Sequence, residues 1–292
     1  MSDHDPDHGH PADEPPDEQP GWRQLNITFA SPHRHTVEHA AITHLGPVLA
    51  DAEAHDLITS WFFIRKQPWK LRYLPTGDHT SQEADKILHA AVTAMQDAGH
   101  ATHWHTGIYE PETHAFGGEE GMAAAHGLFH ADSRHIFAYL TRTVGPSSYA
   151  GDLPDQRREL SIVLCAAFMR AAGQDRYEQG DIWVKLHRFR PNSNVPADNQ
   201  DAFNTSVERL TATDTSPKTA LRRSRLHHAD SWLAAFEHTG QTLRTLADNG
   251  QLTRGLRAVI AHHIIFHWNR IGLPAQTQAN IAHAATQTTF RP

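Results

Sequence analysis

The strongest chemical signal in the sequence is a group of cations in an otherwise apolar stretch, Arg65, Lys70 and Arg72. Tryptophan and tyrosine residues lie among them. Because side chains alternate along a strand, we expect Lys70 and Arg72 on the same face. Cations on a mostly apolar sheet either bind an anion or reach water along their apolar stems. The residue types alone favour solvated cations, and an anion-binding site is the alternative.

A phenol and two carboxylates form a second candidate cluster, Tyr109, Glu110 and Glu112. They come at the predicted end of a strand, and the pair Gly117-Gly118 follows them. These groups suit a site for a polar substrate. They suit a turn and the start of a helix equally well, because glycine supports tight turns and acidic groups favour helix N-termini.

The third candidate cluster lies near the end of the chain and consists of His263, His267 and Arg270. On a helix these positions are i, i+4 and i+7, so they fall along one face. A single histidine there would be ordinary core. Three polar groups in an apolar helix indicate a buried network or a site.

The chain contains 25 histidines, which raises the question of a metal site. His126 and His130 share a predicted helix face close to Asp132, and His103 and His105 share a strand face. Such groups could hold zinc. Because histidine is abundant along the whole chain, pairs are expected by chance, and we predict no metal site.

Familiar cofactor and nucleic-acid signals do not occur in the sequence. It has no G-x-G-x-x-G, no P-loop, no G-x-S-x-G and no H-E-x-x-H. We therefore predict no nucleotide or redox cofactor. The basic cluster at 218–225 is short and local, so we interpret it as a solvated surface and expect no direct nucleic-acid binding.

Composition limits the class of protein. The chain has 292 residues and a net charge of −7, and its first 20 residues hold seven acidic groups without Lys or Arg. This Pro- and His-rich tail, 1–20, is predicted to be disordered, and 22–290 to form a single domain. Cys165 lies in an apolar run and is interpreted as a buried thiol. No stretch is long and apolar enough for a membrane span or a signal peptide, which predicts a cytoplasmic protein.

Hydrophobic periodicity predicts strands at 25–29, 57–65, 69–73 and 101–109. It predicts helices at 34–54, 80–98, 119–140, 155–172, 177–190, 199–210, 226–248, 251–271 and 276–287. Ser81 is expected to cap the second helix and Gly99 to end it. The order favours the α+β class, with a mixed or antiparallel sheet in the N-terminal half, packed helices and a helix-rich C-terminal third.

Four segments resemble a known family: Trp61–Arg65 with Leu71–Tyr73, Tyr109–Glu112 with Phe116–Gly118, Phe129–Ser133, and Phe266–Arg270. Their order and spacing are similar to the C-terminal domain of lantibiotic dehydratases, which also occurs as stand-alone thiopeptide-type bacteriocin biosynthesis proteins. The resemblance implies work on a ribosomally made precursor peptide, leader and core. The expected reaction eliminates glutamate from Ser or Thr that a separate glutamyl-tRNA-dependent subunit has esterified. The alternatives are a pyridine-forming [4+2] cycloaddition of two dehydroalanines and a non-catalytic peptide-binding role.

The resemblance also implies residue roles. Arg72 matches the family's arginine on the second hairpin strand, and His267 is the candidate for its histidine. In an elimination, a guanidinium can hold the departing carboxylate with two hydrogen bonds. Histidine is the natural proton carrier near neutral pH.

One departure from the family pattern concerns cations, because Pro111 and Ala115 stand where dehydratases carry arginines. Another cation would have to take that place, with Arg65, Arg134 and Arg270 as candidates. The expected catalytic group is Arg72, His267, Arg65 and Arg270, and the expected substrate-binding group is Lys70, Tyr109, Glu112 and Arg134. Extended leader peptides commonly add a strand to a sheet edge, and the sequence leaves open which edge is available.

Overall fold

The computed structural model describes residues 21–144, 155–224 and 226–290, so our prediction for 1–20 lies outside the described residues. Four strands form one antiparallel sheet in the order β2-β3-β1-β4. The strands are β1 (Arg23–Phe29), β2 (Ile58–Ile64), β3 (Trp69–Pro75) and β4 (Ala101–Gly107). The predicted hairpin of β2 and β3 is confirmed.

Helices make up most of the remaining described chain, and most of them follow the sheet. They are α1 (Arg34–Ala54), α2 (Asp78–Asp97), α3 (Glu119–Thr143), α4 (Arg157–Ala171), α5 (Arg176–Phe189), α6 (Ala197–Thr211), α7 (Ala220–Ser224), α8 (Asp230–Asp248), α9 (Leu256–Ile271) and α10 (Ala275–Thr289). The predicted α+β class, with a helix-rich C-terminal third, is confirmed. No helix in the described segments is long and apolar enough to cross a membrane.

The two faces of the sheet pack against different clusters. Trp61 and Phe63 of β2 belong to the large core, while Phe62 and Ile64 belong to a smaller one. This division follows from the alternation of side chains along a strand. Arg72 lies over the Phe62 ring, so it belongs to the face with the smaller cluster.

The start of α2 differs from the predicted one. The N-cap is Gly77 rather than Ser81, whose hydroxyl donates to the carbonyl of Asp78 inside the first turn. Thr80 takes the capping role, since its Oγ1 accepts from the Gly77 N–H at 3.0 Å. The predicted end is confirmed, because Gly99 adopts φ +75°, which favours glycine.

Two predicted helix starts in the C-terminal third are also wrong. The helix predicted from 226 begins at Asp230, after a short 3₁₀ turn at His227–Ala229. The helix predicted from 251 begins at Leu256, because 251–255 is a loop that binds the glycine turn before α3. Thr253 N–H donates to the Gly117 carbonyl at 2.9 Å, so this loop holds α3 and α9 together.

The basic cluster at 218–225 is not wholly solvated. The Arg222 side chain is only 4% exposed and pairs with Asp230 and Glu237. Sequence reasoning missed these partners because they come from the following helix. Cys165, in contrast, is buried as predicted, and burial raises the pKa of its thiol.

Side chains of α3 and α9 cover the outer edge of β2. Trp61 N–H donates to His130 Nδ1 at 3.1 Å and Phe63 N–H to Ser133 Oγ at 3.4 Å. Arg270 Nε donates to the Phe63 carbonyl at 3.3 Å. β4 forms the opposite edge, and β1 is its one strand neighbour within the described residues.

Asp132 connects three helices inside the core. Its side chain is fully buried and accepts from Arg270 Nη1 at 2.7 Å and from Trp232 Nε1 at 2.9 Å. His267 Nδ1 donates to it at 3.0 Å. Burial raises the pKa of Asp132, but His267 and Arg270 outweigh burial and hold the pKa below its usual value. The carboxylate is therefore charged and ties α3 to α8 and α9.

Replacing Asp132 with Ala should lower the free energy of unfolding by about 3–5 kcal/mol, because the buried Arg270 charge loses its partner. Urea unfolding followed by circular dichroism measures the change. The matched control is Asp248→Ala, whose 69% exposed side chain makes only a 3.7 Å pair with Arg244 and should contribute about 0.5 kcal/mol or less. If Asp132→Ala lowered the free energy of unfolding no more than Asp248→Ala does, the Asp132 network would contribute little to stability.

His263 is a second buried polar group, and neither of its ring nitrogens has a hydrogen-bond partner in the described residues. Phe116 and Phe168 pack on its ring at 4.9 and 5.5 Å. Burial, then the charges of His262 and Arg270, lowers its pKa from 6.5 to about 3. The imidazole is therefore neutral in the folded protein at neutral pH.

His263 should make stability fall with acidification. The unfolded chain takes up a proton below about pH 6.5 and the folded chain does not, so stability present above that pH is lost as the pH falls toward 3. For this group alone the loss from pH 7 to pH 5 is about 2 kcal/mol. Urea unfolding of His263→Leu should show a pH dependence smaller by that amount. The control His79→Gln alters an exposed histidine, and an unchanged pH dependence in His263→Leu would contradict the assignment.

Candidate functional site

Arg72 of β3 is a buried cation that no charged side chain of the described residues contacts. The residue is 9% exposed, and Nε donates to Gln24 Oε1 on β1 at 2.7 Å. Gln24 is held in turn, since its Nε2 donates to Asn26 Oδ1 at 3.1 Å. Neither terminal nitrogen of Arg72 makes a protein hydrogen bond within the described residues. Both are therefore available to a bidentate anion.

Aromatic rings form the walls around this guanidinium. Its Cζ lies 4.0 Å from the centre of the Tyr109 ring and 5.3 Å from that of Phe62. Burial lowers the pKa of Arg72 to about 10, with Tyr109 and Glu112 raising it and Arg270 lowering it. The group still carries its charge at neutral pH, in surroundings where an electrostatic interaction is stronger than in water.

Tyr109 is paired with a histidine of α3. Its hydroxyl lies 2.8 Å from His126 Nε2, and Trp22 packs on the His126 ring at 4.7 Å. Burial raises the pKa of Tyr109 to about 12. Burial and then the charge of Arg72 lower the pKa of His126 to about 4. At neutral pH the pair is therefore a phenol and a neutral imidazole.

A carboxylate and a second histidine form a partly exposed pair beside Arg72. His262 Nε2 of α9 donates to Glu112 Oε2 at 3.1 Å, and the side chains are 21% and 51% exposed. This hydrogen bond is the main reason why the pKa of Glu112 is lowered, and the charges of Lys66 and Arg72 act in the same direction. An imidazole oriented by a carboxylate is an arrangement suited to proton transfer.

The glycine turn before α3 brings these elements together. Gly117 and Gly118 have φ of +89° and +100°, which disfavours residues with a side chain. A Cβ on Gly117 would also lie 3.1 Å from Val259 of α9. The turn thus lets Phe116 pack 4.9 Å from the His262 ring, which places α9 next to the loop that carries Glu112.

Arg270 lies behind the aromatic wall. Its Cζ is 4.4 Å from the centre of the Phe129 ring, and Nη2 is buried without a partner in the described residues. A small cavity of about 30 Å³ lies between Arg270, Lys66 and Phe266. The positive charge of Arg270 acts to lower the pKa of both Arg72 and Tyr109, and Arg270 itself forms an ion pair with Asp132.

His267 is farther from solvent than the sequence suggested. It is 1% exposed, Nδ1 donates to Asp132, and Nε2 lies 3.0 Å from Ser161 Oγ. Both ring nitrogens are therefore engaged by the protein. In this arrangement His267 connects Asp132 of α3 with Ser161 of α4.

The other predicted site residues lie in different parts of the structure. Lys70 lies on the same face as Arg72, two residues earlier on β3. Arg134 is 60% exposed and lies 3.6 Å from Glu53, and Arg65 lines a separate cavity with its Nη1 on Glu38. The structure thus brings Tyr109 and Glu112 near Arg72 and leaves Arg134 and Arg65 elsewhere.

The histidine pairs do not converge on a metal site. Within the described residues, no group of three or more His, Cys, Asp or Glu side chains could hold a metal ion. His126 contacts Tyr109, His130 lies 3.1 Å from Glu53, and Asp132 binds Arg270. His103 and His105 stack on each other at 5.4 Å, as expected for one strand face.

Sequence reasoning missed Gln24, His126 as the partner of Tyr109, and His262. His262 was overlooked because the neighbouring His263 fits the apolar periodicity of α9 better. Its partner Glu112 is 150 residues away. The available signal was the position of His262 at the border between the apolar and the polar face of α9, where a side chain is partly exposed.

Comparisons with known proteins agree with this fold. Residues 22–289 match the family described as lantibiotic biosynthesis dehydratase C-term. MibB, a tRNA-dependent lantibiotic dehydratase from Microbispora sp. 107891, is similar with a TM-score of 0.58 at 18% identity. That alignment covers 92% of this chain and 28% of MibB, so the chain spans less than a third of that relative.

Two further solved structures match over nearly their full length. TsrL has a TM-score of 0.56 at 14% identity, covering 93% of this chain and 99% of TsrL. TbtD, the pyridine synthase from thiomuracin biosynthesis, has a TM-score of 0.63 at 12% identity, covering 92% and 97%. No curated protein sequence matched. At these identities the structural likeness shows the fold, and the match over residues 22–289 shows that the chain belongs to the lantibiotic dehydratase C-terminal family.

Proposed function

We propose that this chain eliminates glutamate from glutamylated Ser and Thr residues of a precursor peptide, leaving dehydroalanine and dehydrobutyrine. The family takes part in the enzymatic modification of peptides in lantibiotic and thiopeptide biosynthesis. We further propose that a separate glutamylating subunit attaches the glutamate, as the resemblance to lantibiotic dehydratases implies. The site around Arg72 would then act on the ester that this partner supplies.

One observation carries the proposal: Arg72 is a buried arginine without a carboxylate partner among the residues that the structure describes. The other buried arginine side chains of the described segments each contact at least one carboxylate. The pairs are Arg65–Glu38, Arg157–Glu38, Arg222–Glu237 and Arg270–Asp132. A buried cation is costly unless it is paired. Arg72 is therefore suited to a carboxylate that arrives with the substrate.

The elimination needs a proton acceptor and a place for the departing charge. The base removes the Cα proton of the esterified residue, the electron pair forms the Cα–Cβ double bond, and the Cβ–O bond breaks. The electrons of that bond leave on the carboxylate of glutamate. A guanidinium held in place before the reaction stabilises this developing charge at no cost of reorganisation, which is the role of Arg72.

We assign the proton acceptor to His262. Glu112 orients its ring through Nε2, which leaves Nδ1 for the substrate. Glu112 also stabilises the imidazolium that forms when His262 takes the proton, as a carboxylate does in other histidine-carboxylate pairs. The ring of Tyr109 packs on the Arg72 guanidinium, and its hydroxyl is held by His126.

His267 and Arg270 take positioning roles in this proposal. Both bind the buried Asp132, and Arg270 also binds the edge of β2 through the Phe63 carbonyl. They fix the distance between β2 and α9, and therefore between Arg72 and His262. Lys70, on the same sheet face, is a candidate for binding the peptide farther from the reacting atoms.

Pyridine formation by a [4+2] cycloaddition is the second candidate. It is favoured by the alignment over 97% of TbtD and by Pro111 and Ala115 at positions where dehydratases carry arginines. Incubation of the protein with a peptide carrying two dehydroalanines, followed by mass spectrometry, distinguishes the two. A pyridine product from that peptide, with the glutamyl ester left intact in a parallel assay, would replace elimination with cycloaddition.

Arg72→Ala should slow the loss of glutamate from a chemically glutamylated peptide by about 10²–10³-fold, because the departing carboxylate loses its cation. Arg72→Lys should recover only part of the rate, since an ammonium lacks the two-point geometry of a guanidinium. Mass spectrometry of the peptide over time measures both. The control is Arg23→Gln, an arginine of the neighbouring strand with a 46% exposed side chain. Equal rates in Arg72→Ala and the control would contradict the assignment.

His262→Ala should lower kcat by about 10²–10⁴-fold and leave the unfolding midpoint nearly unchanged, since the side chain is partly exposed. Glu112→Gln should give a smaller loss and an altered pH profile of kcat/KM, because the imidazolium loses its counter-charge. His267→Ala, in contrast, should lower the unfolding midpoint. If His262→Ala kept full activity and His267→Ala lost it without a change in stability, the base would be His267.

A further inference from the structure

A second cationic cavity lies at the turn between β2 and β3. Its volume is about 680 Å³, and the turn between α9 and α10 and the start of α1 form its other walls. Arg34, Arg65, Lys66 and Arg190 line it, and none of the described residues in its lining is Asp or Glu. A cavity of this size accommodates a ligand as large as a short peptide segment.

Arg65 is the central charged group of this cavity. Its side chain is 8% exposed, Nε donates to the Arg270 carbonyl at 2.6 Å and Nη1 to Glu38 at 2.5 Å. Nη2 is buried and has no hydrogen-bond partner in the described residues. A buried guanidinium nitrogen without a partner is costly for a protein unless a ligand binds it.

The acids behind the cavity do not balance its cations. Glu38 is shared between Arg65 and Arg157, and Asp155 between Arg157 and Arg34. Lys66 and Arg190 add two positive charges to the lining. Arg190 Nε is fixed on the Gln278 amide at 2.8 Å, so one side of its guanidinium is oriented by a neutral group. The cavity therefore carries an excess of positive charge.

This cavity and the Arg72 site lie on opposite faces of the sheet. The Arg65 guanidinium is 4.9 Å from the centre of the Trp69 ring and 5.6 Å from that of Phe63, both in the large core. Arg72 packs on Phe62 of the smaller cluster. Alternation along β2 and β3 thus separates two cation sites that are close in sequence.

Apolar and amide groups complete the lining. Trp69, Val37 and Leu273 give an apolar wall, and the side-chain NH₂ of Asn269 can donate to a peptide carbonyl. The Gln278 amide is already held by Arg190, Asn269 and Leu273. A small inorganic anion would leave the apolar wall and Asn269 unused, whereas a carboxylate attached to a peptide uses them together with the cations.

We propose that this cavity binds a peptide through its carboxylate groups, as a second anion site apart from Arg72. The carboxylates can come from acidic side chains or from a peptide C-terminus, since both have the same chemistry. If the substrate is a precursor peptide, which rests on the proposed function, the cavity is an anchor for a part of that peptide away from the reacting residue. Binding itself does not depend on which reaction the chain catalyses.

Fluorescence anisotropy with labelled tripeptides tests the proposal on the full chain. The probes are Glu-Glu-Glu amide, Gln-Gln-Gln with a free C-terminus and Gln-Gln-Gln amide. The first two distinguish side-chain from C-terminal carboxylates, and the third should not bind. Arg190→Gln and Arg34→Gln should each weaken the preferred acidic probe by about tenfold, with Arg190→Lys intermediate.

Matched variants locate the binding. Arg188→Gln removes the same charge from an exposed position two residues before Arg190, outside the cavity lining, and should leave the affinity unchanged. Arg72→Ala should also leave it unchanged. Equal weakening in Arg188→Gln and Arg190→Gln, or loss of binding in Arg72→Ala alone, would overturn the proposal. The two proposals can fail separately. If Arg190→Gln weakens probe binding, Arg188→Gln does not, and the protein does not eliminate glutamate, the peptide-binding cavity is supported and the proposed function is wrong.

Discussion

The buried carboxylate of Asp132 is the interaction on which the remaining architecture depends. It accepts hydrogen bonds from groups on α8 and α9 while it belongs to α3. Because Arg270 binds both Asp132 and the Phe63 carbonyl, the same network fixes α9 against the edge of β2. Without this charge, Arg270 would be a buried cation without a counter-charge and His267 Nδ1 would lose its hydrogen bond, a state that proteins rarely tolerate. This network and the contact of Thr253 with Gly117 together fix α9 relative to the sheet, and with it the site.

The sheet then separates the remaining cations by face. Alternation along two neighbouring strands sends Arg65 and Arg72 to opposite sides, each among aromatic rings. What distinguishes them is the supply of carboxylates, since Arg65 is already paired with Glu38 and Arg72 is not paired. The function that we propose depends on this difference, because both terminal nitrogens of Arg72 are available to a substrate carboxylate, whereas Glu38 holds one terminal nitrogen of Arg65. In the proposed function Arg270 and His267, which bind the buried Asp132, have positioning roles.

Strand alternation and helix periodicity predicted most of the fold, because both are local properties of the chain. The helix starts at Asp78, Asp230 and Leu256 were missed because the preceding residues, Gly77, Ala229 and Gly255, make no side-chain capping hydrogen bond that the sequence could signal. In the candidate site, the family resemblance singled out Arg72, because its residue type alone favoured a solvated cation. Tyr109 and Glu112 were candidates for a site and for a turn equally. The pairing of Glu112 with His262 spans 150 residues and depends on how α9 packs. The partners of His267, Asp132 and Ser161, were likewise not predicted, since periodicity defines a face of a helix and not which residues pack on that face.

A crystal structure with a non-hydrolysable glutamyl-serine peptide analogue tests the central claim most directly. If Arg72 binds the leaving group, the carboxylate that mimics it should lie within about 2.7–3.0 Å of the terminal nitrogens of Arg72. The Cα hydrogen of the analogue should face His262. If that carboxylate instead contacted Arg65 and Arg190, or if the analogue bound without any contact to Arg72, the assignment of Arg72 as the anion-binding group of the reaction would be wrong.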